Sequence, residues 1–64
     1  MENERFNLSL RRFLKEVGVS SQQAIENAVR EQHLAGKGKL KVKMVLTAEG
    51  AQLNHVVNGE IDLS

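Results

Sequence analysis

Two histidines and a few hydroxyl groups are the side chains of this 64-residue chain with the most familiar catalytic chemistry. His33 and His55 are far apart in the sequence. A metal site needs three or four converging ligands, which in a chain without Cys would have to come largely from carboxylates. Ser20 and Ser21 are better explained as helix caps than as nucleophiles. The sequence therefore predicts no catalytic, metal-binding or cofactor-binding residue, and a protein that is not an enzyme.

Residues 37–47 hold four lysines and no acid, whereas residues 48–64 hold three acids and no base. The segment Gly36-Lys37-Gly38-Lys39 lacks the full spacing of a phosphate-binding loop and precedes a strand pattern, so we interpret it as a turn. We expect the lysines to form a solvated face that Glu60 and Asp62 neutralise across the sheet. The net charge of +1 gives no overall bias towards nucleic acid or anionic membranes.

Length and composition favour one small domain, residues 1–64, without disulfides, because the chain has no Cys. The first four residues are polar and acidic, unlike the basic and then apolar start of a secretory signal. No apolar run approaches the roughly 20 residues that a membrane-spanning helix needs. We expect a cytoplasmic protein.

Two helices are predicted from apolar residues that recur at steps of three and four. The first, residues 4–17, should end at Gly18 in a left-handed conformation, so that Gly18→Ala would be destabilising. The second, residues 21–35, should begin at a capping box formed by Ser20 and Gln23. The first stripe consists of Phe6, Leu10, Phe13, Leu14 and Val17, and the second is shallower, with Ala24, Ile25, Ala28, Val29 and Ala35.

The hydrophobic period changes to two after Lys39, which predicts strands at residues 39–46 and 53–63 joined as an antiparallel hairpin. The predicted fold class is α+β, with two N-terminal helices packed on one face of the C-terminal hairpin (ααββ). The expected core comprises Phe6, Leu10, Phe13, Leu14, Ile25, Val29, Val42, Met44 and Val57.

A helix-turn-helix followed by a basic hairpin is the alternative interpretation, because the pattern of residues 13–29 predicts parts of two helices joined by a Gly-containing turn. A nucleic-acid-binding domain of this kind would use the second helix and the lysine-rich strand, through Arg30, Lys37, Lys39, Lys41 and Lys43. Glu26 and Glu31 on the exposed side of that helix argue against it. Nucleic acid is therefore the less favoured partner.

Self-association has the strongest physical basis, because a two-stranded sheet has two open edges and an isolated hairpin is marginally stable. Val45 and Val56 would leave apolar groups on the solvent face, and Leu8 lies opposite the first stripe. Lysines along strand one discourage pairing there, so strand two, with Val56 near the axis, is the favoured edge for a homodimer. A monomeric state is the alternative, because chains of this size also fold alone.

Several segments resemble a family of short uncharacterised bacterial proteins of unknown function. The residues are Phe6-Asn7-Leu8-Ser9-Leu10-Arg11-Arg12-Phe13-Leu14-Lys15, Val17-Gly18-Val19-Ser20-Ser21-Gln22, Ile25-Glu26, Ala28-Val29-Arg30 and Asn58-Gly59-Glu60-Ile61-Asp62-Leu63. The resemblance implies a compact bacterial cytosolic protein and assigns no site residue. The favoured function is a non-enzymatic protein-interaction module, without cofactors or membrane contact.

Overall fold

The computed structural model describes residues 3–64, which contain one helix followed by one antiparallel hairpin. Helix α1 spans Glu4–Glu31, strand β1 spans Lys39–Thr47 and strand β2 spans Asn54–Asp62. The chain divides into a helical unit, Met1–His33, and a hairpin unit, Leu34–Ser64. The α+β class and the hairpin are confirmed, whereas the prediction of two helices is wrong.

Helix α1 begins and ends with recognisable caps. The side-chain oxygen of Asn3 accepts hydrogen bonds from the backbone N–H groups of Arg5, at 2.9 Å, and Phe6, at 3.3 Å. These bonds satisfy two of the N–H groups that a helix start leaves free. At the other end Gln32 is the C-cap, and His33 takes a positive φ of 55°. Helix α1 thus ends at Glu31, four residues earlier than the end at residue 35 that the sequence pattern predicts.

Gly18 lies inside α1 and is not among the residues with a positive φ, so the predicted left-handed stop is wrong. Ser20 is helical too, and its hydroxyl donates to the Val17 carbonyl oxygen, at 3.5 Å, instead of capping a second helix. The physical reason is one of magnitude: a glycine inside a helix costs only about 1 kcal/mol relative to alanine. The spacing of three and four residues continues from Val17 through the small residues Ser21 and Ala24, so one helix keeps all three on one side.

The hairpin pairs its strands in a regular antiparallel register. Lys39 lies opposite Asp62, Met44 opposite Val57 and Thr47 opposite Asn54. One face of the sheet carries Leu40, Val42, Met44 and Leu46 from β1 with His55, Val57, Gly59 and Ile61 from β2. The opposite face carries the lysines and their neighbours. The alternation predicted for residues 39–46 is therefore present: the apolar residues at even positions lie on one face of the sheet, and the lysines lie on the other.

A turn before β1 is tied to the end of the hairpin. The backbone N–H of Gly36 donates to the Leu63 carbonyl, and the N–H of Leu63 donates to the Gly38 carbonyl at 2.7 Å. Gly36 and Gly38 have φ values of 82° and 89°, a region that favours glycine. The Gly-Lys-Gly-Lys segment is thus a turn that closes onto the hairpin.

Residues 3–64 contain no side chain that is fully buried, so the predicted core is wrong as a buried core. Phe6 and Phe13 are 47% and 49% exposed, and Met44 and Val57 are 45% and 51% exposed. Within the hairpin unit, the most protected apolar residues are half-buried: Leu34, Leu40, Val42, Leu46, Ile61 and Leu63. A single helix or a two-stranded sheet, taken alone, provides too few neighbouring atoms to surround a side chain completely.

Candidate interaction surfaces

The first surface is an apolar stripe along the N-terminal half of α1. It comprises Phe6, Leu10, Phe13, Leu14 and Val17, which lie within about 50° of a common direction at 100° per residue. Four of the five are between 43% and 52% exposed, and Val17 is half-buried. A helix normally buries such a stripe against another element. The stripe is therefore a surface suited to an apolar contact.

The C-terminal half of α1 continues this side of the helix with small residues. Ser21, Ala24 and Ala28 follow Val17 at steps of four, three and four, and Ile25 flanks them. Ser21, Ile25 and Ala28 are half-buried. Small side chains let a neighbouring backbone approach closely. Both stripes are evident in the sequence, but the predicted break at Gly18 divides them between two helices. In the single helix they form one continuous surface.

Charge is distributed unevenly along α1. Residues 4–17 contain four bases and two acids, whereas residues 18–31 contain two acids and one base. The Arg30 guanidinium donates to the Asn27 side-chain oxygen, one turn back on the same helix. The helix therefore has a basic first half and a weakly acidic second half.

Leu8 lies on the opposite side of α1 from the stripe and is 59% exposed. Its neighbours at helical spacing are Glu4, Arg11 and Arg12, so charged side chains surround Leu8. Glu4, Asn7, Leu8 and Arg11 line an open hollow of about 310 Å³. No Ser, Cys or His borders this hollow, and it offers one apolar side chain for contact.

The lysine face of the hairpin is partly neutralised, as the sequence analysis expected. Lys39 lies opposite Asp62, Lys41 opposite Glu60 and Lys43 opposite Asn58. The Lys39 ammonium lies 4.0 Å from a Glu60 carboxylate oxygen, diagonally across the strands. Both side chains are well exposed, so this ion pair adds little stability. Lys37 lies apart from the other three, in the turn before β1.

Val45 and Val56 lie opposite each other on this same face. Val45 is 53% exposed and Val56 is 43% exposed. Their neighbours along the face are Lys43, Thr47, Asn54 and Asn58, all polar. The structure thus joins two of the three predicted interaction residues into one small apolar pair, while Leu8 belongs to the helical unit.

The carboxylate of Asp62, at the end of β2, accepts hydrogen bonds from Ser64 that lower its pKa. The backbone N–H of Ser64 donates to its carboxylate at 2.9 Å, and the Ser64 hydroxyl also contributes. Hydrogen bonds to the charged form lower the pKa of Asp62 below its ordinary value of 3.8. The effect is local to the end of β2 and is not of the kind that activates a catalytic acid.

The two histidines lie in different parts of the chain. His33 is at the end of α1, whereas His55 lies opposite Leu46 on the apolar face of the hairpin. Across residues 3–64, no three His, Asp or Glu side chains come together as a metal site. An open hollow of about 360 Å³ in the hairpin unit is lined by Lys41, Val42, Asn58, Gly59 and Glu60.

Comparison with known proteins identifies the family. The chain belongs to DUF6494, a family of unknown function that matches residues 1–64. The resemblance to a family of unknown function is therefore confirmed. Neither a curated protein nor a solved structure matches the chain. In the part of the chain that the structure describes, no helix combines the length and apolar character needed to cross a membrane.

Proposed function

We propose that this protein is a non-enzymatic protein-interaction module that completes its fold by association with a second copy of itself. The observation that supports this proposal is the exposure of the large apolar side chains. Eleven of them are between 43% and 59% exposed, and no residue from 3 to 64 is fully buried. Soluble monomers rarely leave contiguous apolar surfaces uncovered, and such surfaces mark contact sites.

Each of the two units gains little stability from its local structure alone. An isolated helix is marginally stable in water, since most helical stability in proteins comes from packing of the apolar side. A two-stranded hairpin is also marginal by itself. Burial of a Leu or Phe side chain contributes about 1.5–3 kcal/mol to stability. Burial of only a few of these side chains therefore contributes more free energy than the local structure of either unit.

Two surfaces are candidates for the contact. One is the edge of β2 with Val56, which the sequence analysis favoured because β1 carries three lysines. The other is the apolar side of α1. A homodimer through β2 would extend the sheet to four strands, whereas a homodimer through α1 would bury a larger set of apolar side chains.

Sedimentation equilibrium over a wide range of chain concentrations tests the proposal. We expect a reversible equilibrium between a species of 7.1 kDa and one of twice that mass. A matched pair of variants checks that an apolar surface drives the association: Leu14→Lys within the stripe should weaken it, whereas Leu8→Lys should not. A species that stays at 7.1 kDa up to high micromolar concentration would contradict the proposal.

Nucleic-acid binding is the alternative, and one of its supports is lost. Residues 13–29 lie within an uninterrupted helix, so the turn that a helix-turn-helix requires is not there. What supports the alternative is the row of Lys39, Lys41 and Lys43 on one face. Glu60 and Asp62 directly across the sheet from two of these lysines reduce the field that a phosphate backbone would meet.

A further inference from the structure

Helix α1 carries an unbroken heptad-like spacing that runs through Gly18. Steps of four, three, four, three and four residues join one set: Leu10, Leu14, Val17, Ser21, Ala24 and Ala28. We call this set the α1 seam. Its mean spacing is that with which two helices pack along a common line. The seam becomes apparent only because α1 is a single helix from Glu4 to Glu31.

Side-chain size changes along the α1 seam. The first three residues, Leu10, Leu14 and Val17, are large and apolar, whereas the last three are small. In a parallel pair, each residue would face its own copy, with leucines crowded at one end and alanines separated by space at the other. Interiors are close-packed and voids are costly, so this arrangement is unfavourable.

An antiparallel pair matches large residues with small ones. Leu10 is placed opposite Ala28 of the second helix, Leu14 opposite Ala24, and Val17 opposite Ser21. Each of these matched positions sums to the same residue number, so all of them are met by one register. Every layer then contains one large and one small side chain, which allows even packing along the whole seam.

Charge favours the same orientation. The first half of α1 has four bases and two acids, and the second half has two acids and one base. An antiparallel pair brings the basic half of one helix alongside the weakly acidic half of the other. Lys15 and Glu26 lie on the side of α1 away from the seam, so this contribution is long-range and is screened by salt. A parallel pair would bring the two basic halves together, and like charges in proximity repel.

We propose that α1 pairs with α1 of a second copy of this chain, antiparallel, through the α1 seam, with the twofold axis near residue 19. This inference rests on the proposed self-association and specifies its surface. Such an interface is isologous and closes as a dimer. The other occupants to be considered are the hairpin of the same chain and an unrelated protein, and either of them would leave the purified chain monomeric.

Disulfide trapping tests the orientation, since the chain has no Cys of its own. The variants Leu10→Cys and Ala28→Cys are prepared singly, then mixed, oxidised and weighed by mass spectrometry. In the antiparallel pair the two copies of residue 10 are 18 positions apart along the seam, about 27 Å at 1.5 Å per residue. A disulfide needs Cα atoms within about 7 Å.

We expect the mixed Leu10→Cys and Ala28→Cys disulfide to exceed either self-disulfide by about tenfold, since only the mixed pair meets the distance limit. Leu14→Cys mixed with Ala24→Cys should behave in the same way and guards against a variant that fails to associate. Leu8→Cys, on the other side of α1, is the matched control and should not be trapped with Ala28→Cys.

Three results would overturn the inference. Efficient self-disulfides of Leu10→Cys would show a parallel pair. A dimer in sedimentation without either mixed disulfide would place the contact elsewhere, for example at the edge of β2, and would leave the proposed self-association standing. A monomer in sedimentation would overturn both this inference and the proposed self-association. The hairpin of the same chain or an unrelated protein would then be the occupant of the seam.

Discussion

Val45 and Val56 lie directly opposite each other across the hairpin, on the face that also carries the three strand lysines. Both are about half exposed, and polar side chains flank them on both strands. An apolar cross-strand pair stabilises a hairpin by a few tenths of a kcal/mol up to about 1 kcal/mol. The pair thus has a function within the hairpin itself, without any need for a partner.

The variants Val56→Lys and Val45→Lys separate the two candidate surfaces for dimerisation. If α1 forms the contact, both variants should weaken the hairpin slightly and leave the dissociation constant of the dimer nearly unchanged. The two changes are matched, because they affect the same pair from opposite strands. A dissociation constant raised about tenfold, equivalent to 1.4 kcal/mol, by Val56→Lys alone would instead assign the interface to β2.

Gly18→Ala should stabilise the protein, contrary to the expectation from the sequence. Gly18 is in the middle of α1, and a methyl group built at its Cα meets no atom within 4 Å. Replacement of a mid-helix glycine by alanine is worth about 0.5–1 kcal/mol. Circular dichroism at 222 nm should show a higher unfolding midpoint. A lower midpoint would contradict an uninterrupted α1.

Gly50→Ala is the matched control for that variant. Gly50 lies in the turn between β1 and β2, with a φ of 83°. Space is open around it too, so only the backbone conformation differs from the situation at Gly18. The left-handed conformation costs a non-glycine residue about 1–2 kcal/mol, and we expect Gly50→Ala to lower the unfolding midpoint.

The hairpin could be predicted from sequence because its signals are local and consistent. Alternation of apolar and polar residues begins at Lys39, and glycines mark the turns on both sides of β1. The prediction that Glu60 and Asp62 would face the lysines is also confirmed by the register. Here each residue's preference agrees with the sheet that it joins.

The single helix could not be read as easily, because Gly18 and Ser20 are typical of helix ends as well as tolerated within helices. These local stop and start signals predict a break, whereas the spacing that continues from Val17 to Ala28 predicts one helix. The contact surface was obscured for the same reason, since the α1 seam exists only when both halves share one axis.

Asp62 should titrate below its ordinary pKa of 3.8, which carbon NMR of its carboxyl group can measure. A lowered pKa in the folded state means that the Ser64 hydrogen bonds stabilise the fold above the ordinary pKa. This contribution is lost as the pH falls through the lowered value. Ser64→Ala, which removes the hydroxyl and keeps the N–H, should return the pKa only part of the way. A midpoint at or above 3.8 in the unaltered chain would contradict the contact.

We expect the protein to bind duplex DNA weakly or not at all. Glu60 and Asp62 lie opposite two of the strand lysines and partly neutralise them, and the net charge of the chain is only +1. Fluorescence anisotropy with a labelled duplex, at about 50 mM and again at about 200 mM salt, measures this directly. The variant with glutamine at positions 39, 41 and 43 is the control. Saturable binding that this variant loses, and that higher salt suppresses, would favour the nucleic-acid alternative instead.

The dependence of the unfolding midpoint on chain concentration tests the central claim, that a second copy completes the fold. Association that favours the folded state raises the midpoint as concentration increases, whereas a self-sufficient monomer unfolds at a fixed temperature. We predict that thermal melts followed at 222 nm will shift upwards over a hundredfold rise in concentration, which corresponds to about 2.7 kcal/mol of added stabilisation per mole of dimer. A cooperative melt with the same midpoint at every concentration would contradict the account.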